Sequence, residues 1–309
     1  MEKVRCNLCD SDKFTEVYTL QDYLLERPNI LTTLVQCDNC GLIYQNPRPS
    51  AVEMDQHYPD EYEPYENLGE SKKPWLLRKA IEYGLAKRAK FVTKHRKTGR
   101  LLDVGCATGE FLSAMRLQED WELYGVEPNA RVASIASHNT GANVFIGTLE
   151  QAQFAKDYFD VVTMWDVLEH VYNPQKTLDE IFRILKPDGL LIIRVPNGSS
   201  FQAKIFGKFW AGLDAPRHLY VFSLKTLSTM LSRSGFEIVD SSFNSASYLI
   251  LVLSFRFWMV DRGIKKTIQE RVLKILNHPI SRLISAPWFY IAGFFVRGPS
   301  MIVTARRSR

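Results

Sequence analysis

The sequence predicts an α/β chain. A mostly parallel sheet carries helices on both faces, a small metal-bound module precedes it, and a helical insertion comes before its last strand. Three observations carry this prediction. Short aliphatic and β-branched runs alternate with amphipathic stretches across residues 75–241. Four cysteines fall in two spaced pairs within the first 46 residues. Residues 244–296 then break the alternation with apolar, aromatic and basic sequence, and strand-like sequence returns at Ser300–Ala305.

The bulk numbers suit a folded chain of one large or two smaller domains. Of 309 residues, 46% are hydrophobic and 24% charged, as in an ordinary soluble protein. The net charge of +5 permits an anionic partner without requiring one. No long basic run is present, so nucleic-acid binding is disfavoured. The first residues, MEKVRCNLCD, are polar and lack a signal-peptide pattern. The best apolar runs are Tyr248–Val260, broken by Arg256, and Leu283–Val296. Neither reaches the roughly 18 residues needed to span a bilayer. The expected location is the cytoplasm, with reduced cysteines; the insertion adds a peripheral position at the inner membrane face as an alternative.

The N-terminal segment, residues 1–46, is expected to be a zinc-ribbon-like module. Cys6-Asn-Leu-Cys9 and Cys37-Asp-Asn-Cys40 each turn two thiolates toward one point, and four sulfur ligands suit tetrahedral zinc. Such a site has no open coordination position, so the zinc is expected to be structural. Gly41 suits the tight turn, and Val35–Cys37 and Leu42–Tyr44 read as short strands around the second pair. Residues 47–74, rich in Pro, Glu and Tyr, read as a linker. Tyr58, Tyr62 and Tyr65 within it either pack on the next domain or form a flap over a site.

The domain from 75 to 309 opens with a helix to about Arg96, bearing Leu76, Leu77, Ile81 and Leu85. Strands are expected at Leu101–Val104, Leu123–Val126, Val144–Ile146, Phe159–Trp165, Leu190–Val195, Phe236–Ser241 and Ser300–Ala305. Helices are expected at Glu110–Gln118, Ala130–Ser137, Pro174–Leu185 and Leu224–Ser234, with Lys186–Gly189 as the turn ending the third of these.

In an open parallel sheet, ligands bind at the carboxyl ends of the strands. The first strand runs into LLDVGCATGEFL, residues 101–112. Gly105 and Gly109 let backbone approach a ligand closely. Glu127, closing the second strand, can accept hydrogen bonds from a ribose diol. A dinucleotide fingerprint would need glycine at Ala107 and Glu110, so it fails. The pattern is instead acid-x-Gly-x-Ala-x-Gly.

LLDVGCATGEFL resembles the first motif of class I S-adenosylmethionine-dependent methyltransferases, with Ala107 at its middle glycine. GVEPN (125–129), FDVVTMWDVLEHVYNP (159–174) and ILKPDGLLIIRVPN (184–197) resemble the later motifs in order. The resemblance covers residues 75–241 and 300–307 and implies a Rossmann-like seven-stranded methyltransferase sheet. It implies that Gly105, Cys106, Ala107 and Gly109 pack against the aminocarboxypropyl group of S-adenosylmethionine. Asp103 orients that turn and reaches toward the amino group, and Glu127 binds the ribose. Thr148 and Leu149 lie by the adenine; Trp165 and Asp166 border the methyl donor. Cys106 is read as a small turn residue, not a nucleophile.

The sulfonium methyl is already activated, so the protein mainly aligns the acceptor. A base helps a hydroxyl or carbon acid. His170 and His218 are the candidates, with His218 preferred as base or substrate ligand. The cysteine module, NPRPS and the tyrosine-rich linker together resemble bacterial methyltransferases of sugars, nucleotide-linked sugars and related metabolites. The catalytic domain also resembles quinone-biosynthesis methyltransferases. The expected partner is therefore a small-molecule acceptor. An RNA methyltransferase is the main rival, disfavoured by Asp10, Asp12, Glu16, Asp22 and Glu26 between the cysteine pairs. A non-catalytic binding module is a third reading. The insertion at 244–296 is read as a lid, a dimer surface, or a contact with membrane or lipid-linked substrate.

Overall fold

Residues 14–45 form an antiparallel meander of β1 (Phe14–Asp22), β2 (Arg27–Cys37) and β3 (Ile43–Gln45). The sequence predicted only the strand segments beside the second cysteine pair. The structure, a computed structural model, describes residues 1–59, 75–118, 120–244, 248–285 and 297–308. The long hairpin of β1 and β2 was hidden because β1 is exposed or half-exposed from Phe14 to Thr19 and β2 from Arg27 to Leu31. It therefore lacks the two-residue apolar alternation that marks a half-buried strand. A short helix α1 (Ala51–Met54) follows, capped reciprocally by Ser50 and Glu53. Tyr62 and Tyr65 lie outside the described residues.

The second part begins with α2 (Trp75–His95). The chain then alternates through β4 (Gly99–Val104), α3 (Glu110–Arg116), β5 (Trp121–Glu127), α4 (Ala130–Thr140), β6 (Asn143–Ile146), α5 (Leu149–Ala152), β7 (Phe159–Trp165) and α6 (Pro174–Ile184). Next come β8 (Leu185–Pro196), α7 (Phe201–Phe206), β9 (Tyr220–Val221), α8 (Leu224–Arg233) and β10 (Phe236–Asn244). The insertion supplies α9 (Tyr248–Asp261) and α10 (Lys266–Asn277), and β11 (Ser300–Arg307) closes the sheet.

Seven strands pair in the order β10-β11-β8-β7-β4-β5-β6. Strand β11 runs antiparallel to both neighbours, and the pairs from β8 to β6 are parallel. Central β7 is buried at every residue, as a strand covered on both faces must be. The predicted turn at 186–189 is instead part of the long strand β8. Phe159 pairs with Leu185 and Val161 with Leu190, so the extra residues bulge out of the ladder there. Lys186 in that bulge reaches Asp160, which also takes Arg96 at 2.7 Å.

The N-terminal sheet is completed from far along the chain, because β9 pairs with β3 to give the order β1-β2-β3-β9. Cys6, Leu8, Val35 and Tyr44 share one apolar core with Leu102, Met164 and Phe222. Gln45, fully buried, donates its amide to the carbonyls of Pro216 and His218, each at 2.7 Å. Arg217, also fully buried, lies 2.9 Å from Asp22 and 2.6 Å from Asp214.

Removing one partner of a buried charge network leaves the other charges uncompensated. Arg217→Met strands Asp22 and Asp214 and is expected to lower stability by about 3–5 kcal/mol. Equilibrium urea unfolding checks this; a loss under about 1 kcal/mol would contradict the assigned role.

Candidate active site

The β4–α3 turn stands at the carboxyl end of the sheet. Gly105 has φ +70°, and a Cβ there would sit 2.6 Å from Val167 Cγ2, so glycine is required on both counts. Ala107 takes a left-handed φ of 46°. The strain is held by Glu127, whose two oxygens accept from Ala107 N at 3.1 Å and Asn129 N at 3.0 Å. Glu127 therefore ties the ends of β4 and β5 together. Burial pushes its carboxyl above the ordinary range despite these two bonds.

Asp103 is buried, and its Oδ1 accepts from the Thr163 hydroxyl at 2.7 Å. Burial raises its carboxyl to about 7, outweighing Thr163 and the charge of Arg88. The Cys106 side chain turns away from the edge into the core beside Leu112, against the bare Cα of Gly125. Burial pushes its thiol up, as expected for a packing residue. Only the Cys106 backbone belongs to the turn. Among the residues expected near adenine, Thr148 is exposed while Leu149 is 3% exposed and part of the core. Glu150 is bound to the Thr177 hydroxyl at 2.7 Å.

At the end of β7, Asp166 takes a left-handed φ of 59°. Its carboxylate lies 3.1 Å from Arg194 and 3.7 Å from Arg88. The Arg88 guanidinium also sits 5.3 Å over the Trp165 ring. Burial, then the charge of Arg194, brings Arg88 down to about 10, so it stays cationic. Trp165 packs edge-on against Phe111, and its buried indole N–H has no acceptor among the described residues. The turn, Asp103, Glu127, Arg88 and the free indole donor form a polar cradle. That donor set fits a ligand with an ammonium, a carboxylate and a diol, the groups that S-adenosylmethionine carries.

Beyond Asp166, a short 3₁₀ turn (Leu168–His170) brings Glu169 and His170 to the loop bearing His218. The ligand atoms of these three side chains lie within 4.8 Å of one another. His218 Nδ1 lies 2.9 Å from the Gly212 carbonyl. A carbonyl only accepts, so Nδ1 carries the proton and Nε2 keeps its lone pair. Asp214 Oδ2 lies 3.9 Å from Nε2. His170 Nδ1 lies 2.8 Å from the Tyr58 hydroxyl and 3.1 Å from the Arg217 carbonyl. Burial holds both imidazoles below their ordinary range, His170 at about 3, so both are neutral. Glu169 is fully buried, and neither carboxyl oxygen has a partner among the described residues. Burial and then Asp166 hold it well above the usual range.

Sequence reasoning named the two histidines and missed Glu169, which sits beside His170 in the quoted DVLEHV. It also missed Arg88, Arg194, Arg217 and Gln45, whose roles come from partners distant in sequence.

The four cysteines of the N-terminal module also meet. Their sulfurs lie within 4.8 Å of one another, with Cys6–Cys40 at 3.5 Å and Cys9–Cys37 at 3.4 Å. A tetrahedron with zinc–sulfur bonds of about 2.3 Å has edges of about 3.8 Å, so the donor set fits zinc after slight expansion. Each knuckle is followed by a left-handed residue, Asp10 at 58° and Gly41 at 78°.

Comparison with known proteins bears on the family and the fold. A family profile described as methyltransferase domain matches residues 76–241. A probable S-adenosylmethionine-dependent methyltransferase of Mycolicibacterium smegmatis is 26% identical over 48% of this chain and 56% of its own length. A ubiquinone biosynthesis O-methyltransferase of Cereibacter sphaeroides is 30% identical over 48% of this chain and 66% of its own. The chain thus spans less than two thirds of these two relatives. Magnesium protoporphyrin IX methyltransferase from Synechocystis, 15% identical, superposes with a TM-score of 0.52 over 83% of this chain and 99% of its own, a likeness of fold. With more than half of its length matched by the family profile, this chain belongs to the methyltransferase-domain family, and its seven-stranded sheet has the Rossmann-like methyltransferase fold.

Proposed function

We propose that the protein transfers the S-adenosylmethionine methyl group to a hydroxyl-bearing small molecule, with a sugar or a nucleotide- or lipid-linked saccharide as the favoured acceptor. The observation supporting this is the adjacency of two sites. The cofactor cradle ends at Asp166, and Glu169, His170, His218 and Tyr58 follow directly beyond it. These are hydrogen-bonding groups on buried or half-buried side chains, suited to an acceptor rich in hydroxyls. The ubiquinone methyltransferase relative favours a second reading, an O-methyltransferase acting on a phenolic quinone precursor.

In this reading Asp103 faces the cofactor ammonium, Arg88 its carboxylate and Glu127 its ribose. The backbone of residues 105–109, Trp165 and Asp166 line the methionine end. Thr148 and Leu149 stand at the adenine side, with Leu149 contributing from the core. When bound, the cofactor supplies an electrophilic methyl. The protein aligns the acceptor oxygen with it, and His218 Nε2 takes the acceptor proton. The resulting imidazolium is stabilised by Asp214. His170 orients the acceptor with Tyr58. The four cysteines hold one structural zinc.

Three outcomes test this reading. A methyl-transfer screen over nucleotide sugars, lipid-linked sugars and quinol precursors should give product with a saccharide, and His218→Ala should lower kcat by about 10²–10⁴-fold. Product only from quinols would reject the favoured acceptor.

Cofactor binding should depend on Asp103. Its carboxyl is protonated below about pH 7 and anionic above. Only the anion pairs with an ammonium, so affinity should rise from pH 6 to pH 8, with proton release near neutrality. Asp103→Asn should weaken binding by about tenfold to a hundredfold and flatten this dependence. Calorimetry in buffers of different ionisation enthalpy reads both; an unchanged slope in the variant would discard the pairing.

Metal analysis should find one zinc per chain. Cys37→Ser should lose it and lower the melting temperature, whereas Cys106→Ala should keep it.

A further inference from the structure

The insertion has two unlike halves. α9 is fastened to the body: Phe257 stacks on Tyr23, and Ser254 Oγ accepts from Ala211 N at 2.9 Å. Asp261 at its end accepts from the Tyr23 hydroxyl at 2.7 Å. The chain then turns at Gly263, and α10 buries none of its side chains. Ile268, Val272 and Ile275 recur one helical turn apart along one face, and Ile268 and Ile275 are 48% and 65% exposed. The helical segment after α10 continues the pattern, with Ile280, Leu283 and Ile284 60–75% exposed. Large exposed aliphatics normally occur singly; here five fall within residues 268–284.

Charge identifies the partner. Between residues 262 and 282 stand Arg262, Lys265, Lys266, Arg271, Lys274 and Arg282, against Glu270 as the one acid. A second copy of the same face would bring these cations together across a twofold axis, where they repel. An anionic lipid layer neutralises them while the aliphatic side chains enter its boundary. No helix among the described residues is long and apolar enough to cross a membrane, so the contact would be interfacial.

We propose that α10 and the helical segment through Ser285 dock on the surface of an anionic bilayer, with Ile268, Ile275, Leu283 and Ile284 inserting below the headgroups and the flanking lysines and arginines binding phosphate. This does not rest on the acceptor assignment. It places the enzyme at a membrane surface whichever acceptor it methylates.

Vesicle co-sedimentation of the full chain tests it. Binding is expected to phosphatidylglycerol–phosphatidylcholine vesicles and to be at least about tenfold weaker to phosphatidylcholine alone. The exposed double variant Ile275→Asp/Leu283→Asp should abolish binding. The triple variant Lys265→Glu/Lys266→Glu/Arg271→Glu should weaken it by at least about tenfold. Both should bind S-adenosylmethionine as the parent does, which shows that they fold. Absence of binding to anionic vesicles overturns the proposal. So does binding that salt removes but the aspartates leave intact, because insertion would then play no part. A parent that is dimeric by light scattering and made monomeric by the aspartates, without vesicle binding, assigns the face to a second copy.

Discussion

One buried cation joins the two halves of this chain. Arg217 is fully buried between Asp22 and Asp214, and Asp22 lies 195 positions away in sequence. Burial by itself would lower the guanidinium, but the charges of the carboxylates beside it outweigh that and hold Arg217 firmly cationic. Such a network is a costly way to stabilise a core, because the desolvation of three charges must be recovered through exact pairing. What it specifies is geometry. Asp22 ends β1, Asp214 and Arg217 frame the loop before β9, and the residue after Arg217 is His218. Gln45 at the end of β3 holds the same loop through two carbonyls. The second cysteine knuckle lies where β2 ends, just before β3 begins, so a cluster remote in sequence from the histidines helps to set where they stand.

The same burial sets the chemistry that the site can perform. A histidine kept neutral by burial is in its base form. Its low affinity for protons makes it a weak base unless a carboxylate waits for the imidazolium. Asp214 is in that place, but it is shared with Arg217. A shared carboxylate stabilises a transient positive charge less than a free one would. In the proposed reaction this arrangement is adequate because the departing group is a thioether from a sulfonium. The methyl needs little more than a correctly placed nucleophile, and the proton can leave late.

The parts of the structure legible from sequence are those governed by local rules. β4, β5, β7 and β11 announce themselves as apolar runs because parallel or central strands are buried on both faces. The turn at 105–109 is legible because glycine there answers a backbone demand. Residues whose placement depends on distant partners were not legible. The β1–β2 hairpin is charged and half-exposed, and β9 is only two residues long. Lys186–Gly189 reads as a turn locally, yet Asp160 and the neighbouring strand draw it into β8. The direction of the Cys106 side chain depends on the bare Cα of Gly125 in the next strand. Glu169 stood in plain view, but its importance lies in having no partner among the described residues, which a sequence does not record.

The insertion shows the same distinction between local pattern and tertiary need. It lies between β10 and β11, which pair with each other over eight registered positions from Phe236 to Asn244. A short connection would close that antiparallel pair equally well, so the sheet does not require the helices. α9 repays its presence with buried contacts to Trp210 and Tyr23. α10 has no fully buried side chain, and it keeps an apolar face beside cationic residues. A helix that neither completes the core nor lines the site gains little fold stability from ordered amphipathicity. The proposed docking accounts for its pattern through a surface outside the protein, apolar at depth and anionic at its boundary.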